Sequence, residues 1–248
     1  MFLWNSGKLK THFRMITSHR LLQVFLVFGI VYSILLLIGN DTLTWYLKPF
    51  LIPFLFYAVV KSEPFDTKKW LLSALFFSWI GDCILMFADK GELYFIFGLV
   101  AFLIAHILFI VLFTRQTLVS VSFKKRLFWV GFIMILIYLV SMLMFLLPTL
   151  GELKIPVGIY AMTISIMLML ALKGAFNWEG KAKYFVFIGA VFFVISDSIL
   201  AIDKFHSPIA SASYSIMITY LIAQFSITYG ILKLNQKNSI SIEMLSLF

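Results

Sequence analysis

The chain has 248 residues, of which 62% are apolar and only 12% charged, with a mean hydropathy of +1.02. Soluble domains run at roughly half apolar and a quarter charged, so a water-soluble globular fold is excluded and a polytopic membrane protein is expected. The net charge of +9 does not read as nucleic-acid binding, because the basic residues are scattered over short loops rather than gathered with base-stacking or phosphate-binding motifs.

A helix needs about 20 apolar residues to cross a bilayer. Eight stretches qualify: 21–38, 43–60, 70–88, 93–113, 127–147, 155–172, 184–202 and 214–232. The basic start followed by 21–38 has the outline of a signal peptide. The stretch is too long, however, and no small-residue cleavage site follows it, so it reads as a retained first span. The second stretch contains Lys48, Pro49 and Pro53. Proline inside a helix favours a kink, whereas Pro49 in the first helical turn is well tolerated; both readings are open. The third stretch carries Asp82 beside Cys83, the sole cysteine, so no intramolecular disulfide can form. The fourth carries His106, without the metal-ligand spacing of an HExxH motif. In the fifth and sixth, Met142, Met144, Met162, Met167 and Met169 fill core or lipid-facing surface. The seventh carries Ser196 and Asp197, and the eighth Tyr220 and Gln224. Gly131, Gly158, Gly174 and Gly189 read as sites of close helix packing, and none builds a phosphate-binding loop. The tail from Asn235 has no lipidation signal.

Of 20 basic residues, 16 fall on alternate segments: Lys8, Lys10, Arg14, Arg20; Lys61, Lys68, Lys69; Arg115, Lys124, Lys125, Arg126; Lys173, Lys181, Lys183; Lys233, Lys237. The opposite loops hold Lys90, Lys154 and Lys204, and Lys48 lies within a span. Positive loops stay cytoplasmic, so both termini are expected inside, in the plasma (inner) membrane if the source is bacterial. Trp45, Trp70 and Trp129 fall at span ends, as an interfacial aromatic belt requires. No linker separates soluble domains, so residues 1–248 read as one integral membrane domain.

Two stretches repeat one pattern. FFSWIGDCILMFAD, Phe76 to Asp89, matches FFVISDSILAID, Phe192 to Asp203, with Asp82 on Asp197, Ile84 on Ile199 and Leu85 on Leu200. Each is followed by a second match, Leu103-Ile104-Ala105-His106 and Leu221-Ile222-Ala223-Gln224. The fold class expected is therefore all-α: a polytopic transmembrane helical bundle of about eight spans, with a parallel internal repeat of spans 1–4 and 5–8 related by an axis along the membrane normal.

Asp82 and Asp197 stand 12 and 13 residues past Trp70 and Tyr184. At 1.5 Å per residue both are about 18 to 20 Å from the cytoplasmic end. An ionised acid at such depth costs at least about 2.5 to 3.5 kcal/mol, so it normally faces the protein interior and marks a site. The bland alternative is helix pairing through hydroxyls such as Ser78, Ser196 or Ser198. Two carboxylates that meet in a low dielectric do not both ionise readily, so one keeps a proton while the other stays charged. Identical side chains then supply an acid and a base, the requirement of acid-catalysed hydrolysis. Lys48 either binds a lipid phosphate as a point charge or snorkels to the interface. His106, Tyr160, Tyr220 and Gln224 are polar groups within spans, read either as structural bonds or as members of a site. Ser196 lacks a GxSxG elbow, which disfavours a serine hydrolase.

At these residues the chain resembles the lysoplasmalogenase family of YhhN-like multi-span membrane proteins. The resemblance rests on Lys48-Pro49 opening a span, Gly81-Asp82 followed by Ile-Leu, Ala105-His106, Pro156 to Tyr160, Ser196-Asp197 followed by Ile-Leu, and Tyr220 to Gln224. It runs from about Trp45 to Leu232, leaving out the first span and both tails. What it implies is hydrolysis of the vinyl ether bond of lysoplasmalogens, releasing a fatty aldehyde and glycerophospho-ethanolamine or glycerophospho-choline. The partner is then a lysophospholipid within the membrane, with no metal or other cofactor. Asp82 and Asp197 would be catalytic, and Lys48, His106, Tyr160, Ser196, Tyr220 and Gln224 substrate-binding. The alternatives are a proton-coupled transporter of a small or lipid-like solute, which would also use intramembrane acids and repeated halves, and a scaffold whose acids merely join helices.

Overall fold

A computed structural model of the protein describes residues 2–116 and 125–245, with side chains over 16–116 and 126–236. Lys124 lies outside the described residues, as do the side chains of Lys8, Lys10, Arg14, Lys125 and Lys237. The described chain is helical throughout: α1 (Phe2–Leu37), α2 (Asp41–Leu47), α3 (Leu51–Lys61), α4 (Lys68–Leu85), α5 (Glu92–Arg115), α6 (Lys125–Leu146), α7 (Lys154–Asn177), α8 (Ala182–Phe205) and α9 (Ala212–Leu245). Seven segments among the described residues are long and apolar enough to cross a bilayer, with α2 and α3 counted as one. The protein is an integral membrane protein. The remaining expected span, α4, has 18 residues that include Lys68, Lys69 and Asp82. It ends at Leu85 rather than at residue 88, so Asp82 stands in its last turn, its carbonyl accepting from the Met86 N–H at 3.3 Å.

The proline question in the second span is decided by a 3-10 turn, Lys48–Phe50, between α2 and α3. The α-helical donor to the Pro49 carbonyl would be the N–H of residue 53, which proline lacks. The indole of Trp79, on α4, takes that role and donates to Pro49 O at 2.8 Å. The turn that presents Lys48 is thereby tied to the helix that presents Asp82.

Between helices in lipid the hydrophobic effect contributes little, and close van der Waals contact carries association. The tightest pairs are the hairpins α4–α5 and α8–α9, and glycine sets both. A Cβ on Gly81 would meet the Phe102 ring at 2.7 Å, and one on Gly98 the Leu85 side chain at 2.5 Å. On α8, a Cβ on Gly189 would meet Ile227 N at 2.8 Å and Ala223 O at 2.9 Å. Gly131 and Gly174 also abut side chains, of Leu172 and Trp178, but Gly158 faces open space and packs no helix. The core gathers Leu55 of α3, Leu75 of α4, Phe109 of α5, Met167 of α7, Phe193 of α8 and Ile227 of α9, all fully buried. α6 rests on α7 and turns Met134, Ile137 and Met144 outward, the arrangement expected of a lipid-facing helix.

Candidate active site

Asp82 and Asp197 open into one cavity of about 410 Å³, which Lys48, Ser196 and Tyr220 also line. Its rim carries Asp41, Trp45, Asp89, Asp203 and Lys204, from the ends of the spans where the sequence has few basic residues. The cavity therefore opens on the face opposite the lysine-rich loops. Lys48 is half-buried and has no ion pair among the described residues.

Each acid is held by a tyrosine from another helix. The Tyr220 hydroxyl, on α9, donates to Asp82 Oδ2 at 2.7 Å. The Tyr160 hydroxyl, on α7, donates to Asp197 Oδ2 at 2.5 Å. Asp82 is buried and Asp197 half-buried, so Asp197 is the more open of the two. Behind Asp197, His106 Nε2 lies 3.6 Å from Oδ2, too long for a hydrogen bond, and both of its ring nitrogens lack a hydrogen-bond partner among the described residues. Behind Asp82, Gln224 Nε2 donates to the Tyr220 oxygen at 3.3 Å, and Gln224 Oε1 has no partner among the described residues. His106, which follows Asp82 in the sequence, thus stands behind Asp197, and Gln224, which follows Asp197, stands behind Asp82.

Beneath the acids lies an aromatic layer around Phe193, whose ring centroid is 4.7 Å from that of His106, 5.6 Å from Tyr220 and 6.4 Å from Phe102. Such edge-on packing closes the floor against water. His106 and Gln224 are fully buried within it. They do not reach the cavity wall, so their geometry suits positioning the acids rather than touching a ligand, whereas Tyr160 misses the polar cavity but lines an apolar cleft beside Asp197.

The serine alternative is overturned. Ser196 Oγ bonds Ile216 O at 3.0 Å, Ser198 Oγ bonds its own helix at Val194 O as well as Tyr138, and Ser78 Oγ has no partner among the described residues. A serine side chain is short and is readily captured by a nearby carbonyl, whereas a tyrosine reaches across a helix interface. Tyr32, Asp41, Asp89, Asp203 and Lys204 were not anticipated as cavity residues. Asp89 and Asp203 end the two matched stretches but stand seven and six residues past Asp82 and Asp197, so the match does not pair them, and Tyr32 belongs to the first span, where no pattern pointed to it. Asp203 Oδ1 also accepts the Ile209 N–H at 2.8 Å, fixing the loop before α9. Among the described residues no group of three His, Cys, Asp or Glu stands close enough to hold a metal ion.

Lysoplasmalogenase TMEM86A of Bos taurus is 32% identical over 160 residues, covering 62% of this chain and 61% of that protein. Human Lysoplasmalogenase TMEM86B is 31% identical over 170 residues, covering 66% and 63%. The lysoplasmalogenase of Mycobacterium bovis is 30% identical over 165 residues, covering 66% and 60%. The chain thus spans about three fifths of the length of the relatives it matches. No solved structure matches. The model of the YhhN family matches residues 43–231, nearly the whole stretch over which the sequence resemblance runs, and the chain belongs to the YhhN family.

Proposed function

We propose that this protein is an ether hydrolase that cleaves the vinyl ether bond of lysoplasmalogens, releasing a fatty aldehyde and glycerophospho-ethanolamine or glycerophospho-choline. The observation that carries the reading is the shared cavity: two intramembrane carboxyls and Lys48, which has no ion pair among the described residues, face the same space. Vinyl ether hydrolysis needs a proton delivered to carbon, a base for the attacking water and no redox step. Two carboxyls supply both roles, and Lys48 supplies a charge for the phosphate. Tyr160 and Tyr220 hold the acids in place, with His106 and Gln224 packed behind them and Ser196 bracing α8 against α9. The named activity of the curated relatives supports the same assignment.

In this reading the chain acts as one membrane domain with both termini cytoplasmic and the cavity opening toward the outer leaflet. The basic residues at the opposite face support that orientation. The test supplies purified protein with a lysoplasmenyl lipid and measures aldehyde. Release is expected from the parent, with a loss of roughly a hundredfold or more in Asp82→Asn and in Asp197→Asn. No release from the parent at any pH or in any detergent refutes the hydrolase, and undiminished release from both variants refutes the two-carboxyl mechanism.

A further inference from the structure

Asp197 faces two spaces, and the second is apolar. Besides the polar cavity, it lines a narrow cleft of about 60 Å³ walled by Leu99, Leu139, Met142, Ala161 and Ile164. Phe95 and Leu200 border both spaces, so the two meet at Asp197, whereas Asp82 borders only the polar one. One wall of the cleft is α6, which packs on α7 and hardly at all on α5. The cleft therefore lies behind a lipid-facing helix, next to the membrane interior.

Resting on the hydrolase reading above, we infer that this cleft takes the first carbons of the alkenyl chain, and that Asp197 protonates the substrate while Asp82 activates water. In a lysoplasmalogen the vinyl ether stands at the single joint between the polar glycerophosphate and the hydrocarbon. In the protein the joint between polar and apolar space is Asp197. The carbon that receives the proton is the one on the chain side, and the carbon that water attacks is bonded to oxygen on the polar side. The cleft has room for only a few water-sized groups, so the remainder of a long chain runs out past α6 into the bilayer.

The proton balance closes. The Asp197 O–H bond breaks as a C–H bond forms at the chain-side carbon, and an oxygen lone pair makes the oxocarbenium ion. Water adds to its carbon and gives a proton to Asp82. In the collapse of the hemiacetal the bond to the glycerol oxygen breaks, that oxygen takes the proton from Asp82, and the hemiacetal hydroxyl proton returns to Asp197. Both acids end as they began.

The test compares kcat/KM for lysoplasmenyl lipids bearing a propenyl and a hexadecenyl chain. Ala161→Phe narrows the cleft and is expected to lower the hexadecenyl-to-propenyl ratio by about tenfold or more. Met142→Ala widens it and is expected to raise turnover of a chain methyl-branched next to the vinyl ether relative to the linear one. Unchanged ratios in both variants, with an active parent, overturn the cleft assignment and leave the hydrolase standing. If the parent releases no aldehyde from either lipid, the hydrolase reading fails by itself. A lysophospholipid with a diazirine near the head of its chain then decides the cleft independently: photolabel on Leu139 or Met142 supports it, and label absent from α6 and α7 overturns it.

Discussion

Trp79→Phe removes the indole N–H that donates to the Pro49 carbonyl. The indole N–H reaches that oxygen at 2.8 Å, and the helical donor that would otherwise serve it is absent because residue 53 is proline. Phenylalanine retains a ring against Phe76, whose centroid is 6.0 Å from that of Trp79, so the main loss is the hydrogen bond. Leaving a half-buried carbonyl unpaired costs about 1–3 kcal/mol, and that drop is expected in unfolding titrations in detergent. Pro53→Ala introduces an N–H four residues after Pro49. Placed in the Trp79→Phe background, it is expected to recover about 1 kcal/mol, a coupling that distant sites do not show. Lys48 precedes Pro49 in the same turn, so Trp79→Phe should also raise KM for a lysoplasmenyl lipid more than it lowers kcat. Equal stability of Trp79→Phe and the parent, or a loss that Pro53→Ala leaves untouched, refutes the account of this turn.

Tyr160→Phe and Tyr220→Phe each remove one hydrogen bond to an acid, at 2.5 and 2.7 Å. A bond to a charged group contributes about 1.5–3 kcal/mol and one to a neutral group about 0.5–1.5, so aldehyde assays should show kcat lower by roughly tenfold or more in Tyr220→Phe and by less in Tyr160→Phe, with KM little changed; a fall in stability with kcat intact would make the tyrosines purely structural. Lys48→Met keeps the stem and removes the charge, and is expected to raise KM about tenfold, measured against substrate concentration at fixed detergent. Gly189→Ala drives a Cβ to 2.8 Å from Ile227 N and should cost about 1–3 kcal/mol in detergent unfolding. Gly158→Ala, with nothing within 4 Å, should be neutral or stabilise by up to about 1 kcal/mol through helix propensity.

Both acids, Lys48 and the run of spans were legible because the bilayer makes them so. A hydrocarbon layer tolerates backbone only as helices or closed barrels, so length and hydropathy alone give the spans, and a carboxyl inside one is costly enough to signal a site. The break at Lys48–Phe50 was half legible: two prolines announce an interruption, but its geometry depends on Trp79, which is 30 residues further along the chain. The early end of α4 was missed because apolar residues continue past Leu85, and hydropathy does not register where a helix stops.

What the sequence alone determined is the membrane class, the helical content and the identity of the two intramembrane acids, since each follows from the local cost of placing a side chain or peptide group in lipid. What only the tertiary structure decided is which groups meet. Tyr220 and Asp82 are 138 residues apart, and their bond joins α9 to α4, a meeting that no local pattern gives. The serines nearest Asp197 in sequence bond to backbone carbonyls instead, Ser198 within its own helix and Ser196 across to Ile216 of α9, because a short hydroxyl takes the carbonyl packed against it while a phenol reaches further to an acid. That contest between near and far partners, settled by packing, places Asp82 in the polar cavity alone and Asp197 where that cavity meets the apolar cleft.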